Sequence, residues 1–171
     1  MILQNKNLLS AIANCGIMTK NIAKSHYKIY HKTLNSLLKN DFLVIKGNLI
    51  LFGKATTIFT LSESSKNIFR KLGKSPYRTN SSQLEHDYLL LRSYSVLPIA
   101  TQSSWLNETE LKELYNSDAT TDGLFYFKNK KIGIEVITPN YTHEMIKKKI
   151  EFGQTYCDEL ITMDTSQIKI D

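Results

Sequence analysis

Asp122 and Glu135 are the residues whose type and setting most directly invite chemistry. Asp122 opens an apolar segment beside Gly123, and Glu135 lies inside Ile132-Gly133-Ile134-Glu135-Val136-Ile137. A carboxylate with strand-forming apolar residues on both sides is costly to bury unless it is paired or bound to a cation. A hairpin centred on Asn129-Lys130 would set Leu124 opposite Glu135 and Ile137 opposite Asp122. The two carboxylates would then be diagonal neighbours on one face, with Cβ atoms roughly 7–8 Å apart. Oxygen donors so placed suit a hard divalent cation, which makes Asp122 and Glu135 candidate metal ligands. A register slip of one residue would put them on opposite faces. The competing reading pairs Glu135 with a lysine of the following helix, expected over 141–156, which carries Lys147, Lys148 and Lys149.

A second chemistry follows from charge. Residues 1–74 carry 12 Lys/Arg against Asp41 and Glu63, a net +10, whereas residues 75–171 carry 10 Lys/Arg against 14 Asp/Glu, a net −4. Such a split concerns partners more than fold, and the basic half suits a polyanion. Lys20, Lys24, Lys28 and Lys32 are spaced to reach phosphates. His31, Asn35 and Ser36 have the donors and acceptors to read base edges. The alternative is a solvated lysine face on a domain that makes protein contacts.

These residues need elements to position them. In the basic half, apolar spacing predicts helices over 6–14, 20–24 and about 26–39, with Thr19 able to cap the second. A hairpin follows, with strands 42–45 and 49–52 about Gly47-Asn48, then a strand over 57–61 and a helix over 62–72. The best boundary is 73–82, which holds Gly73, Pro76 and Asn80 and coincides with the change of charge sign. The expected organisation is a domain at 1–74, a linker at 75–82 and a second domain at 83–171. Ser82-Gln83-Leu84-Glu85 reads as a capping box opening a helix that Pro98 stops. A short strand over 99–104, an Asn107-capped helix over 108–115, strands over 121–127 and 131–138, the helix over 141–156 and a strand over 159–163 complete it.

Composition excludes several classes. Apolar residues make up 42% and charged residues 22%, which suits a globular chain. The longest apolar runs are far too short to span a bilayer. No charged-then-apolar leader opens the sequence, so a cytoplasmic protein with no membrane partner is expected. Cys15 and Cys157 read as reduced core thiols, and no Cys/His cluster has zinc-ligand spacing. His26, His31, His86 and His143 form no close pair, which argues against a histidine-held metal beside a tyrosine nucleophile. No Gly-rich phosphate loop or nucleophile elbow is present.

The stretch from Gly16 to Leu43, with Thr19, Ile22-Ala23, Leu34, Leu37 and Leu38, resembles a winged helix-turn-helix. The resemblance implies that the third helix enters the major groove of duplex DNA and that the hairpin flanks it. The acidic half, with its order α-β-β-β-α-β and its Asp122…Glu135 pair, resembles the PD-(D/E)XK restriction-endonuclease-like core. There such a pair holds Mg²⁺ or Mn²⁺, which activates water. His86, Trp105, Glu108, Asp122-Gly123 and Ile134-Glu135-Val136, in that order, resemble the replication-relaxation family, which includes MobC-type plasmid mobilisation proteins. For the whole chain this implies an α+β protein that acts at an origin on double-stranded DNA, with Glu108 or His86 assisting Asp122 and Glu135 in nicking one strand. A homodimer and relaxosome proteins are the implied partners. The sequence departs from the pattern at Thr121, where the motif has Pro, and at Ile137, where nucleases have Lys. Lys147 or Lys148 would have to supply the missing amine. The alternative is a binding-only regulator or relaxosome accessory protein, with the nuclease-like core retained for dimerisation.

Overall fold

The computed structural model describes residues 2–167; residues 168–171 of the expected second domain lie outside the described residues. The chain is α+β, with two sheets in two compact units, residues 1–96 and 97–171. Among the described residues, no helix is long and apolar enough to cross a membrane.

The first unit begins with α1 (Ile2–Cys15), the two-residue strand β1 (Met18–Thr19) and α2 (Lys20–Tyr27). Thr19 caps α2 by accepting from the Ile22 N–H. That helix runs three residues further than the sequence predicts and ends at Lys28, whose left-handed backbone (φ 57°) closes it. The third helix, α3 (His31–Lys39), therefore starts later than expected, and Lys28 is not part of it. Leu34 and Leu37 form its buried side.

Strands β2 (Leu43–Leu51) and β3 (Lys54–Leu61) pair antiparallel, and β1 adds to β3, giving the order β1-β3-β2. Gly47-Asn48 is not the hairpin turn. The register shifts between Ile45 and Gly47, so Lys46 is the extra residue of a bulge within a longer strand. Phe52-Gly53 makes the turn, both at positive φ, as a two-residue hairpin that matches strand twist requires. Helix α4 (Glu63–Lys71) follows, with the Ser62 side chain accepting from the Ser65 N–H.

The expected linker belongs inside this unit. Tyr77 is buried and its N–H donates to the Ala13 carbonyl at 2.7 Å. Gly16 lets that stretch approach: its φ is +83°, and a Cβ there would lie 2.8 Å from Thr79 Cβ and 2.9 Å from the Tyr77 ring. Helix α5 (Leu84–Val96) then packs on α1 and α2. Leu89, Leu90 and Tyr94 are buried, Asn14 Nδ2 donates to the Tyr94 hydroxyl at 3.2 Å, and the Tyr27 and Ser95 hydroxyls share a hydrogen bond of 3.1 Å. The boundary thus falls at 96/97 and not at 75–82. Burying an apolar side chain stabilises by about 1.5–3 kcal/mol, so α5 goes where its leucines are covered, regardless of charge sign. The Ser82–Glu85 capping box does not form either. Asn80 caps the turn at Ser81–Gln83, and Glu85 accepts from the Phe52 N–H at 3.1 Å.

The second unit opens with a short helix, α6 (Ile99–Gln102), where the sequence predicts a strand; the Gln102 N–H donates to the Pro98 carbonyl at 2.9 Å. Then come β4 (Leu106–Asn107), α7 (Glu108–Tyr115), β5 (Gly123–Phe127), β6 (Lys130–Ile137), α8 (His143–Tyr156) and β7 (Glu159–Asp164). Asn107 and Glu110 form a reciprocal capping box that fixes the start of α7. The sheet order is β4-β5-β6-β7, antiparallel except for β6 with β7, which α8 connects as a parallel crossover. Trp105 is fully buried and stacks on Phe125 with ring centroids 5.3 Å apart.

Gly16→Ala should lower unfolding stability by about 1–3 kcal/mol through strained backbone and the clash with Thr79. In the second unit, a Cβ on Gly123 would lie 2.2 Å from Trp105, so Gly123→Ala should cost at least as much. Urea unfolding of each variant checks both; a loss below about 0.5 kcal/mol would mean that the neighbouring side chains relax freely.

Candidate functional site

The carboxylates meet in the second unit, though in a different register from the one expected. The β5–β6 turn is Lys128-Asn129, both at positive φ, and pairs Phe127 with Lys130 and Gly123 with Ile134. Continuing that register by one position puts Asp122 directly opposite Glu135 rather than diagonal to it. The expected and observed registers differ by two, an even shift, which leaves the faces unchanged. Asp122 and Glu135 are each 1% exposed.

Their backbone and side chains interlock. The Asp122 N–H donates to Glu135 Oε2 at 3.2 Å, and the Val136 N–H donates to Asp122 Oδ2 at 2.7 Å. These bonds do part of the work of a sheet ladder just beyond the end of β5.

Lys149 completes the cluster. Its Nζ lies 3.1 Å from Asp122 Oδ1, 2.9 Å from Glu135 Oε1 and 3.1 Å from Glu135 Oε2. Glu108, the first residue of α7, stands at the rim, 3.7 Å from Lys149 and 3.1 Å from Lys112. The Tyr141 ring covers the ammonium at 5.4 Å. Burial works against the Lys149 charge, but Asp122 and then Glu135 more than reverse this, so the amine is held well above the usual lysine range. Burial, followed by the charge of Asp122, pushes the Tyr141 hydroxyl up.

The lysine is neither Lys147 nor Lys148. Both are exposed and pair along the helix, Lys147 with Glu151 at 3.8 Å and Lys148 with Glu144 at 2.7 Å. Lys149 is one turn from Phe152 and Gly153, which are buried on the inner face of α8. The signal was available: Lys149 falls in step with Ile146, Ile150 and Gly153 at helical spacing. His86 is a residue of the first unit, buried there with Nδ1 3.2 Å from Asp87 Oδ1.

As arranged, the carboxylate pair fits an ammonium ion. The amine contacts both carboxylates in this arrangement, at 2.9–3.1 Å. Among the described residues, no group of three or more His, Cys, Asp or Glu side chains could hold a metal ion.

The basic candidates occupy the first unit. Lys20, Lys24, Lys28, His31, Lys32 and Asn35 are all exposed on α2, α3 or the turn between them. Lys28 lies at the end of α2, where its Nζ donates to the Ser25 carbonyl at 2.8 Å. On α3, Lys32, Asn35, Ser36 and Lys39 share the outer face, opposite Leu34 and Leu37. Residues 1–40 contain six lysines and no Asp or Glu. With the boundary at 96/97, the first unit carries fourteen Lys/Arg against four Asp/Glu, and the second eight against twelve. The charge split survives the shift in boundary.

Compared with known protein families, with curated proteins and with solved structures, the chain matches none.

Lys149→Met should destabilise the second unit by about 3–5 kcal/mol, because two buried carboxylates lose their cation. The penalty should persist at about pH 9 and be no smaller there than at about pH 6, where the variant's orphaned carboxylates take up protons more readily. A group whose folded pKa is raised contributes fully below its unfolded value, as at both of these pH values, and loses that contribution as pH rises through the folded one. Urea unfolding at the two pH values tests this; a penalty that disappears by pH 9 would mean that the amine titrates within the window.

Proposed function

We propose that this chain is a double-stranded DNA-binding protein of a plasmid or related mobile element, acting in mobilisation or replication at an origin. The observation that carries the reading is the exposed, carboxylate-free lysine surface of α2 and α3. Lysines on such a surface release counterions from a duplex and gain affinity without reading sequence. Asn35 and Ser36, on the outer face of α3, have the groups to contact base edges in the major groove. The order α1, α2, α3, β2–β3 hairpin, with β1 added to the sheet, supports a winged helix-turn-helix reading of the first unit. On this reading the DNA is held by the first unit, and the second serves as a nuclease-like scaffold for a homodimer or for contacts with relaxosome proteins.

One observation favours a second reading, a metal-dependent nickase. Asp122 just before β5 and Glu135 on β6, with Lys149 reaching them from the next helix, supply the residue types that a PD-(D/E)XK core needs. Lys149 then takes the part that Ile137 cannot. On this reading Asp122 and Glu135 hold Mg²⁺ or Mn²⁺, with Glu108 at the rim.

Lys24→Ala with Lys32→Ala should weaken binding to a short duplex and reduce the slope of log K against log salt by about two, one for each phosphate left without its lysine. Fluorescence anisotropy across salt concentrations measures it, and an unchanged slope would overturn the α2–α3 assignment. Nicking of supercoiled plasmid, run with Mg²⁺, Mn²⁺ or chelator, separates the two readings. Metal-dependent nicking by wild type but not by Glu135→Gln would make the chain an enzyme. DNA binding without nicking would leave it a binding protein.

A further inference from the structure

The first unit has a second concentration of positive charge. A cavity of about 550 Å³ is lined by Lys46 of β2, by Lys66 and Arg70 of α4 and by Arg78, together with Tyr77 and Thr79. None of its lining residues comes from α2 or α3, and none is a carboxylate. The exposed Glu63 pairs with two of these cations, 3.2 Å from Lys66 and 2.7 Å from Arg70. One surface carboxylate shared by two cations offsets little of the charge. Four cations around one cavity repel each other unless an anion lies among them.

The wall that carries Arg78 is anchored on both sides. Tyr77 bonds to the Ala13 carbonyl through its N–H, and its hydroxyl donates to Asp87 Oδ1 at 3.2 Å. Thr79 donates its hydroxyl to the other Asp87 oxygen. Asp87 is fully buried beneath them. Lys46 Nζ reaches the Thr79 oxygen at 3.5 Å. The backbone at Arg78 thus runs between two anchored residues, while its side chain is exposed and Lys46 reaches the same stretch. Guanidinium and ammonium groups gathered at one cavity are suited to charge-assisted bonds with phosphate oxygens.

We propose that this cavity is a binding site for linked phosphates. They come either from the backbone of the bound duplex, beyond the stretch that α2 and α3 cover, or from a free polyphosphate such as a nucleoside triphosphate. Only the first source rests on the DNA-binding reading.

The test uses the full chain and the variant Lys46→Gln with Arg78→Gln, neither residue belonging to the α2–α3 surface. A charge-keeping control, Lys46→Arg with Arg78→Lys, separates lost charge from lost fold. Inorganic pyrophosphate and ATP are titrated while backbone amide resonances are followed by NMR, and duplex affinity is measured across salt. A free-polyphosphate site should show saturable shifts at Lys46, Arg78 and Thr79, weakened at least tenfold in the glutamine variant and kept in the control. A backbone site should show the salt slope falling by about two in the glutamine variant alone. If neither probe shifts those amides and the slope is unchanged, the proposal is overturned, even where the duplex still binds through α2 and α3. Should the wild type bind no DNA, the DNA-binding reading fails and the pyrophosphate and ATP titrations alone decide the cavity.

Discussion

The second unit is organised around one buried ammonium. Asp122, just before β5, and Glu135, on β6, are both buried, and two carboxylates so deep would repel each other and forgo hydration. Lys149 lies within about 3 Å of both, and the backbone amides of Asp122 and Val136 take up further lone pairs. This arrangement ties β5 to β6 beyond the end of their ladder and pins α8 over β6. The crossover from β6 through α8 to β7 is therefore held by an ion pair at its centre, with Phe152 packed nearby. Such clusters add little net stability when complete and cost much when broken, so the unit tolerates no partial version of it.

The first unit uses charge in the opposite way. Its core is filled by Leu8, Ile12, Ile58, Phe59 and Leu90, and none of its lysines is buried. Its buried carboxylate, Asp87, accepts from Tyr77 and Thr79 and adjoins His86. Asp87 thereby holds the 76–79 stretch against α1, where a composition of Pro, Ser and Asn suggests a free linker. Like-charged side chains are kept at the surface, where solvent screens their repulsion.

Twice in this unit a local cue yields to a tertiary one. Gly47-Asn48 has hairpin composition, but β2 continues through it as a bulge because Leu43 and Leu51 are both buried at the ends of the longer strand. Ser82–Glu85 has the spacing of a capping box, yet Glu85 instead meets the Phe52 amide, and Phe52 packs edge-on against Tyr88. In each case the alternative is worth about 1 kcal/mol, which apolar burial readily outweighs.

Much was legible in the residues alone. The caps at Thr19, Ser62 and Asn107 are local bonds between a side chain and an amide three residues on. Pro98 ends α5 because its ring cannot continue the helix, and the charge split is a property of composition. The common face of Asp122 and Glu135 depends only on an even count across a turn. The tertiary structure decided what depends on distant partners. Helix α5 joined the first unit because its leucines fit against α1 and α2. Lys149 was selected over Lys147 and Lys148 by the rotation of α8, which the packing of Phe152 and Gly153 sets. Sequence spacing says which residues share a side of an element; only packing against the rest of the chain says which side faces in.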